Sequence, residues 1–133
     1  MRMMVTGAAG FIGLNTVREL VRRGIYAYAV THRRSHPELT ALAQAGALQL
    51  LRADLSDITQ VRAAFAACPA LDAVIHCAGR ASDVGWTRAF RKANYESVVN
   101  LGTLCREARA GRFVFVSTTD VYGMRDFHGE GED

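Results

Sequence analysis

A chain of 133 residues, half of them hydrophobic and 22% charged, is long enough to bury a core as one domain. No apolar run reaches the roughly 18 residues that span a bilayer, and the N-terminus lacks the apolar region of a signal peptide, so we expect a cytoplasmic protein that binds no membrane. The net charge of +3 comes from arginines spread along the chain, without the basic blocks and interleaved aromatic residues of a nucleic-acid-binding protein.

The hydrophobic pattern alternates between short aliphatic runs and segments of helical period, which is typical of strand–helix units around a parallel sheet. Five strands are predicted, at residues 2–6, 25–31, 47–51, 72–77 and 112–117. The helices between them are predicted at residues 11–23, about 35–45, 57–68 and 87–108. Because such crossovers are right-handed, we predict a doubly wound α/β sheet of strand order 3-2-1-4-5 with helices on both faces.

Local signals mark where several of these helices begin and end. Ser35 and Glu38 have the spacing of a capping box around Pro37, and Asp57 precedes Gln60 by the same interval. We therefore expect these two segments to open the second and third helices. The residues expected to end the first and second helices with a left-handed backbone are Gly24 and Gly46.

The stretch T-G-A-A-G-F-I-G, residues 6–13, lies between the first strand and the first helix. Gly7 permits a tight turn, Gly10 allows close approach of a pyrophosphate, and Gly13 lets the helix pack near the strand. The amides of Phe11 and Ile12 at the start of the helix are then available to phosphate oxygens. The loop predicts dinucleotide binding, and a tight turn without a ligand is the alternative.

With its G-x-x-G-x-x-G spacing at the N-terminus, the chain resembles the short-chain dehydrogenase/reductase superfamily, in its extended epimerase/dehydratase branch. The further matching stretches are A-D-L at 53–55, H-C-A-G at 76–79, Asn94, and S-T-T-D-V-Y-G at 117–123. The resemblance covers nearly the whole chain. It implies a Rossmann domain at residues 1–127 that binds NAD(P). Residues 128–133 are polar and contain glycine, so we expect a loose tail there.

The end of the second strand bears on the choice of coenzyme. It reads A-V-T-H-R-R, residues 29–34, with no carboxylate to accept hydrogen bonds from the adenosine ribose. A guanidinium binds phosphate bidentately, so Arg33, helped by Arg34 or His32, favours NADP(H) over NAD(H). The alternatives are a basic surface loop without a ligand and a site that accepts NAD(H).

The resemblance also implies roles for residues after the third and fourth strands. Asp54 is expected to accept from the adenine amino group and Leu55 to lie against the ring; a cap or turn role is the alternative for Asp54. Asn94 matches the family's helix asparagine, which helps to position the site, although a lone helix asparagine is also often exposed or capping. The backbone floor under the ribose and pyrophosphate is expected from Cys77, Ala78 and Gly79.

Family members use a tyrosine base, a lysine four residues later, and a serine or threonine that holds the substrate oxygen. Thr118 matches that hydroxyl donor, with Ser117 beside it. None of the four tyrosines is followed by lysine at the required position, and Lys92 is the sole lysine. Tyr122 occupies the place of a wall residue of the site. We therefore expect the 133 residues alone to be inactive.

Three interpretations follow from the missing Tyr-x-x-x-Lys. The chain is the N-terminal part of a longer enzyme that lacks its substrate portion here, a non-catalytic NADP(H) sensor or regulatory module, or an interaction domain that keeps the loop for folding only. For an enzyme, the resemblance implies a small-molecule substrate such as a nucleotide sugar or steroid. The edge at the fifth strand is expected to be covered by a second copy or by another chain.

Histidines and cysteines show no spacing typical of a metal site. Cys68, Cys77 and Cys105 form no C-x-x-C pair, and any disulfide scheme leaves one of them unpaired. We predict structural thiols and no bound metal.

Overall fold

The computed structural model describes residues 1–81 and 85–118. Five parallel strands form one sheet in the order β3-β2-β1-β4-β5, as predicted. Their bounds are β1 Arg2–Thr6, β2 Tyr26–Thr31, β3 Leu48–Arg52, β4 Ala73–His76 and β5 Phe113–Phe115. The predicted tail at 128–133, Tyr122, and most of the S-T-T-D-V-Y-G stretch lie outside the described residues.

The helices follow the strands in alternation. Their bounds are α1 Phe11–Arg22, α2 Pro37–Gln44, α3 Ile58–Ala66, α4 Thr87–Phe90 and α5 Ser97–Glu107. The predicted helical stretch over residues 87–108 is confirmed, and the structure adds that its middle is π-helical, at Arg91–Glu96, between α4 and α5. Such segments are uncommon and often occur at functional sites.

Successive strand residues point to opposite faces of the sheet, and each face packs against its own pair of helices. Met4 and Val74 contribute to a core with α3 and α5, whereas Val5 and Ala29 contribute to a core with α1 and α2. All four side chains are almost completely buried. The prediction of helices on both faces is therefore confirmed.

The helix ends show where local signals were sufficient. The side chain of Asp57 accepts from the backbone amides of Thr59 and Gln60, which confirms the predicted start of α3. The prediction that Ser35 opens the second helix is wrong: His36 is the N-cap, and its Nδ1 accepts from the amide of Glu38 at 3.3 Å. The reason is that a proline holds the preceding residue in an extended conformation, which places the cap at His36.

Both predicted helix-ending glycines have the left-handed backbone, with φ of 68° at Gly24 and 73° at Gly46. Among the described residues, no helix is both long enough and apolar enough to cross a bilayer.

The parallel strands bring the loops after β1, β2, β3 and β4 to one edge of the sheet. The strand order reverses direction between β1 and β4, which is where ligands bind in doubly wound sheets.

Candidate functional site

Two adjoining cavities, of about 810 and 410 Å³, lie at the carboxyl edge of the sheet. We call them together the groove. The larger cavity is lined by the glycine loop, the end of β2 and the loop after β4, and the smaller one by the residues after β3 and by the helical segment opposite. The residues that line both cavities are His32, Arg33, Ala78, Gly79, Arg80, Ala89 and Ala93.

The glycine loop is in tight contact with the rest of the site. Gly7 has a φ of 67°, and a Cβ at this position would lie 2.7 Å from the backbone of Ala78. A Cβ at Gly13 would overlap the carbonyl group of Gly7. Glycine is therefore required at both positions, by the turn and by the close packing of α1 on β1.

Helix α1 begins directly after this loop and points its N-terminus at the larger cavity. Gly10 is the N-cap, and it provides no side-chain hydrogen bond to the first-turn amides. The side chains of Phe11 and Ile12 are exposed, at 86% and 49%. Helix N-termini carry partial positive charge and unpaired N–H groups, so this end is suited to an anion.

The loops after β1 and β4 are joined by a buried pair. Thr6 Oγ1 and His76 Nδ1 lie 2.6 Å apart, and both side chains are completely buried. The imidazole stacks near Phe113 and Phe115. Burial lowers the pKa of His76 to about 4, so the ring is neutral at physiological pH. Among the described residues, His76 Nε2 has no hydrogen-bond partner.

Cys77 follows His76 and lines the larger cavity. Burial raises the pKa of its thiol, although a hydrogen bond with Thr16 acts in the opposite direction. The protonated thiol is therefore a small, half-buried part of the groove floor rather than a nucleophile.

The loop after β4 is held from the other side by the π-helical segment. Asn94 accepts from the amide of Arg80 at 2.7 Å and donates to the carbonyl of the same residue at 3.1 Å. The Arg80 guanidinium lies 5.1 Å from the centre of the Phe90 ring. Arg80 lines both cavities, and Asn94 lines neither. Asn94 therefore influences the groove indirectly, by holding the backbone of Arg80.

The segment after β3 forms one wall of the smaller cavity. Asp54 Oδ1 accepts from the amide and hydroxyl of Ser56, so the predicted turn role is present, while Asp54 and Leu55 both line the cavity. Partial burial raises the pKa of Asp54, but the Ser56 hydrogen bonds and the electrostatic interactions with His32 and Lys92 outweigh it and hold the pKa below its usual value. The carboxylate is therefore ionised and accepts hydrogen bonds.

Basic residues dominate the end of β2. His32, Arg33 and Arg34 are exposed side chains beside the larger cavity, and a third cavity of about 300 Å³ continues past them to Arg52. Among the lining residues of the three cavities, Asp54 is the single acidic side chain. This corner of the site therefore attracts anions.

The structure brings most of the predicted site residues into the groove. Those that line it are Gly7, Gly10, Arg33, Asp54, Leu55, Cys77, Ala78 and Gly79. Thr118 follows β5 at the same edge and lines neither cavity of the groove.

Sequence reasoning missed part of the groove wall. Ala89, Ala93 and Ser97 recur at intervals of four residues and present small side chains to the smaller cavity. That periodicity was the available signal, but small residues on a helix are also common in ordinary cores. Among the described residues, no group of three or more His, Cys, Asp or Glu side chains is arranged to hold a metal.

Comparison with known proteins was consistent with this geometry. The model of the NAD dependent epimerase/dehydratase family matches residues 3–133. A dTDP-4-dehydro-6-deoxy-D-allose reductase from Streptomyces sp is 33% identical over 126 residues, covering 90% of this chain and 38% of the relative. A 2-alkyl-3-oxoalkanoate reductase from Stenotrophomonas maltophilia is 34% identical over 121 residues, covering 91% of this chain and 34% of the relative.

Among solved structures, UDP-glucose 4-epimerase from Bifidobacterium longum, in complex with NAD+ and UDP, superposes with a TM-score of 0.81 at 26% identity. The match covers 92% of this chain and 38% of that chain. The 133 residues thus span well under half the length of these relatives. The fold, the glycine loop and the family match agree, and the chain belongs to the NAD-dependent epimerase/dehydratase family.

Proposed function

We propose that the chain binds a nicotinamide dinucleotide along the groove and forms the coenzyme-binding part of an enzyme that transfers hydride to or from a carbinol or carbonyl carbon. The observation that carries the proposal is the N-terminus of α1, which has no side-chain cap and opens onto a cavity floored by the backbone after β4. A pyrophosphate is the natural ligand of such an end. The NAD+ bound to the Bifidobacterium longum epimerase supports this assignment.

The adenosine end of the ligand is assigned to the smaller cavity. Asp54 is ionised and lines this cavity, so its carboxylate is suited to accept from the adenine amino group. Leu55 lies beside it and offers an apolar surface to the ring. Arg80 lies between the two cavities and supplies positive charge near the phosphates.

We further infer a preference for NADP(H) over NAD(H). His32 and Arg33 line both cavities, and Arg34 lines the larger one. The acidic side chain that a ribose 2′-hydroxyl needs at the end of β2 is absent from the sequence. Guanidinium groups at this point match a 2′-phosphate in charge and geometry.

The chemistry assigned to these residues is incomplete. Thr118 is proposed to donate a hydrogen bond to the substrate oxygen, and the 133 residues hold no Tyr-x-x-x-Lys to move its proton. A polypeptide of these residues is therefore expected to bind the dinucleotide without turnover. Since two of the relatives described above carry dTDP or UDP in their names or complexes, we propose a nucleotide sugar as the substrate of the active enzyme.

A non-catalytic NADP(H) sensor is the second candidate function, and the missing Tyr-x-x-x-Lys is the observation that favours it. The two candidates differ in one measurement on the protein that contains these residues in the cell. Reduction of a 4-keto nucleotide sugar by NADPH supports the enzyme, whereas dinucleotide binding without reduction of any carbonyl substrate supports the sensor.

Within residues 1–81 and 85–118, β5 forms one edge of the sheet, and this edge leads to a separate proposal about assembly. On β5, Val114 and Phe115 are exposed at 40% and 49%. We propose that a second copy or another chain covers this edge, because unpaired strand edges associate readily. Light scattering on the purified chain tests it: a monomer at all concentrations contradicts coverage by a second copy.

Calorimetric titration with NADPH and NADH tests the main proposal. The wild-type chain is expected to bind both dinucleotides, and NADPH more tightly. Arg33→Asp is expected to weaken the affinity for NADPH by at least about ten-fold and to change the affinity for NADH little. Arg106→Asp, with the same charge change in the last turn of α5, is the control. Equal affinities in the wild type contradict the NADP preference, and no binding of either dinucleotide contradicts the proposed function itself.

A further inference from the structure

The third cavity, of about 300 Å³, lies beyond the ends of β2 and β3. It shares Thr31, His32, Arg33 and Arg34 with the larger cavity of the groove, so the two adjoin. None of its lining side chains is acidic. The basic side chains around it are His32, Arg33, Arg34 and Arg52. A cavity with three guanidinium groups and no carboxylate is suited to a doubly charged anion.

Arg52 enters this cavity from a different strand than the other two arginines. It is the last residue of β3 and is in register with Thr31 of β2. Its Nε donates to the carbonyl oxygen of His32 at 2.8 Å. The side chain therefore crosses from β3 to the loop that carries Arg33 and Arg34, and it holds that loop by a charge-assisted hydrogen bond.

The same side chain retains donors for a ligand. A guanidinium has five N–H donors in a fixed fork, and Nε accounts for one of them. Among the described residues, no hydrogen bond or ion pair of the two terminal nitrogens of Arg52 is observed. A phosphate monoester in this cavity therefore meets donors from both strands.

We propose that Arg52 is a specificity-determining residue of the coenzyme site: it fixes the loop after β2 and, with Arg33 and Arg34, binds the phosphate on the 2′-position of the adenosine ribose. This inference rests on the proposed function, since it needs a dinucleotide in the groove. It extends that function by assigning the 2′-phosphate to a cavity formed between β2 and β3 rather than to the loop alone.

Two small probes separate the 2′-phosphate from the rest of the coenzyme. Adenosine 2′,5′-bisphosphate carries that phosphate, and 5′-AMP lacks it. In calorimetric titrations, we expect Arg52→Met to weaken the affinity for the bisphosphate by about ten-fold. The affinity for 5′-AMP is expected to stay within about two-fold of the wild-type value. Arg106→Met is the control, because it removes the same charge from the last turn of α5, at a residue that lines none of the three cavities.

Arg52→Lys provides a second variant that keeps the charge of the chain. A lysine cannot bind the His32 carbonyl and a phosphate in the same planar fork, so we expect an intermediate loss for the bisphosphate, about three-fold, and none for 5′-AMP. If Arg52→Met does not fold, the same comparison of the two probes is made with Arg52→Lys alone. In each variant, the affinity for NADPH is expected to change as that for the bisphosphate does, and the affinity for NADH as that for 5′-AMP does.

The outcomes separate failure of this inference from failure of the proposed function. Equal losses for the two probes mean that Arg52 only supports the loop, and no loss for the bisphosphate means that it takes no part; either result overturns the inference. If the wild-type chain binds neither probe nor either dinucleotide, the proposed function is wrong and the inference is wrong with it.

Discussion

The hydroxyl of Thr6 and Nδ1 of His76, 2.6 Å apart, join β1 to β4 at the last residue of each strand. The next residues are Gly7, at the start of the glycine loop, and Cys77, at the start of the loop after β4. Since these loops form two sides of the larger cavity, a buried hydrogen bond sets their relative position. The pair contacts no ligand in our proposal, so it acts by positioning.

Replacing Thr6 by valine is expected to remove this bond while preserving the shape of the side chain. The His76 Nδ1 atom then stays buried without its partner, which costs about 1–3 kcal/mol of unfolding free energy. We also expect weaker NADPH binding, because the two loops lose the side-chain hydrogen bond between them and keep only backbone contacts. Urea unfolding and calorimetry measure the two effects. Thr6→Ser keeps a hydroxyl, so its free energy of unfolding and its affinity for NADPH are expected to stay close to the wild-type values. If Thr6→Val and Thr6→Ser have equal effects, the positioning role is contradicted.

The buried imidazole of His76 predicts a pH dependence of stability. Its pKa is about 4 in the folded chain and near 6.5 when unfolded, so the unfolded state binds more protons between these values. The contribution of the neutral imidazole to the free energy of unfolding is fully present above about pH 6.5. As the pH falls towards 4, this free energy decreases by about 3 kcal/mol at most. Urea unfolding at several pH values between about 4 and 7 measures it.

The control for this dependence is His76→Gln, which cannot become charged. Carboxylates titrate in both proteins, so the difference between the two curves isolates the imidazole. The gap in unfolding free energy between wild type and variant is expected to shrink as the pH falls. A gap that stays constant over this range contradicts the buried neutral histidine.

Asn94 is expected to control the order of the loop after β4. It both accepts from and donates to the peptide groups of Arg80, so Asn94→Asp keeps one bond and places a carboxylate against a carbonyl. The bond kept is that of the Arg80 amide, so we expect faster amide exchange at residues 77–79 of the loop rather than at Arg80. We also expect roughly ten-fold weaker dinucleotide binding, because one hydrogen bond is lost and a carboxylate faces a carbonyl. Hydrogen-exchange mass spectrometry and calorimetry measure these changes.

Asn15→Asp is a matched control, since Asn15 bonds a backbone carbonyl within α1 and lines neither cavity of the groove. It is expected to leave dinucleotide affinity within about two-fold. If both aspartate variants weaken binding equally, added negative charge rather than the Arg80 contact is responsible.

Gly13→Ala is expected to be destabilising because a Cβ there overlaps the carbonyl group of Gly7 and forces α1 away from β1. A loss of about 1–3 kcal/mol is typical of such overpacking. Gly102→Ala is the control, since a Cβ at that helical position meets no atom within 4 Å and raises helix propensity. Thermal unfolding is expected to lower the Tm of the first variant only; equal Tm values contradict the packing argument.

Much of the fold was predictable because its signals are local. Alternating aliphatic runs and helical periods identified all five strands, and the strand order predicted for a doubly wound sheet agrees with the structure. The glycine spacing of residues 7–13 predicted close packing that the structure shows at Gly7 and Gly13. Local signals were less reliable at helix ends, where Pro37 moved the N-cap from Ser35 to His36.

The sequence by itself determined the five strands, the glycine loop and the absence of a carboxylate at the end of β2, because each depends on residues close together in the chain. The family resemblance and the predicted strand order rest on several such local stretches taken in order along the chain. The tertiary structure alone decided the contacts between strands and helices far apart in sequence. Thr6 meets His76 across 70 positions, Asn94 reaches Arg80 from the π-helical segment, and Arg52 bonds His32 through strand register. No local pattern encodes these contacts, since they depend on how the parallel strands align at one edge.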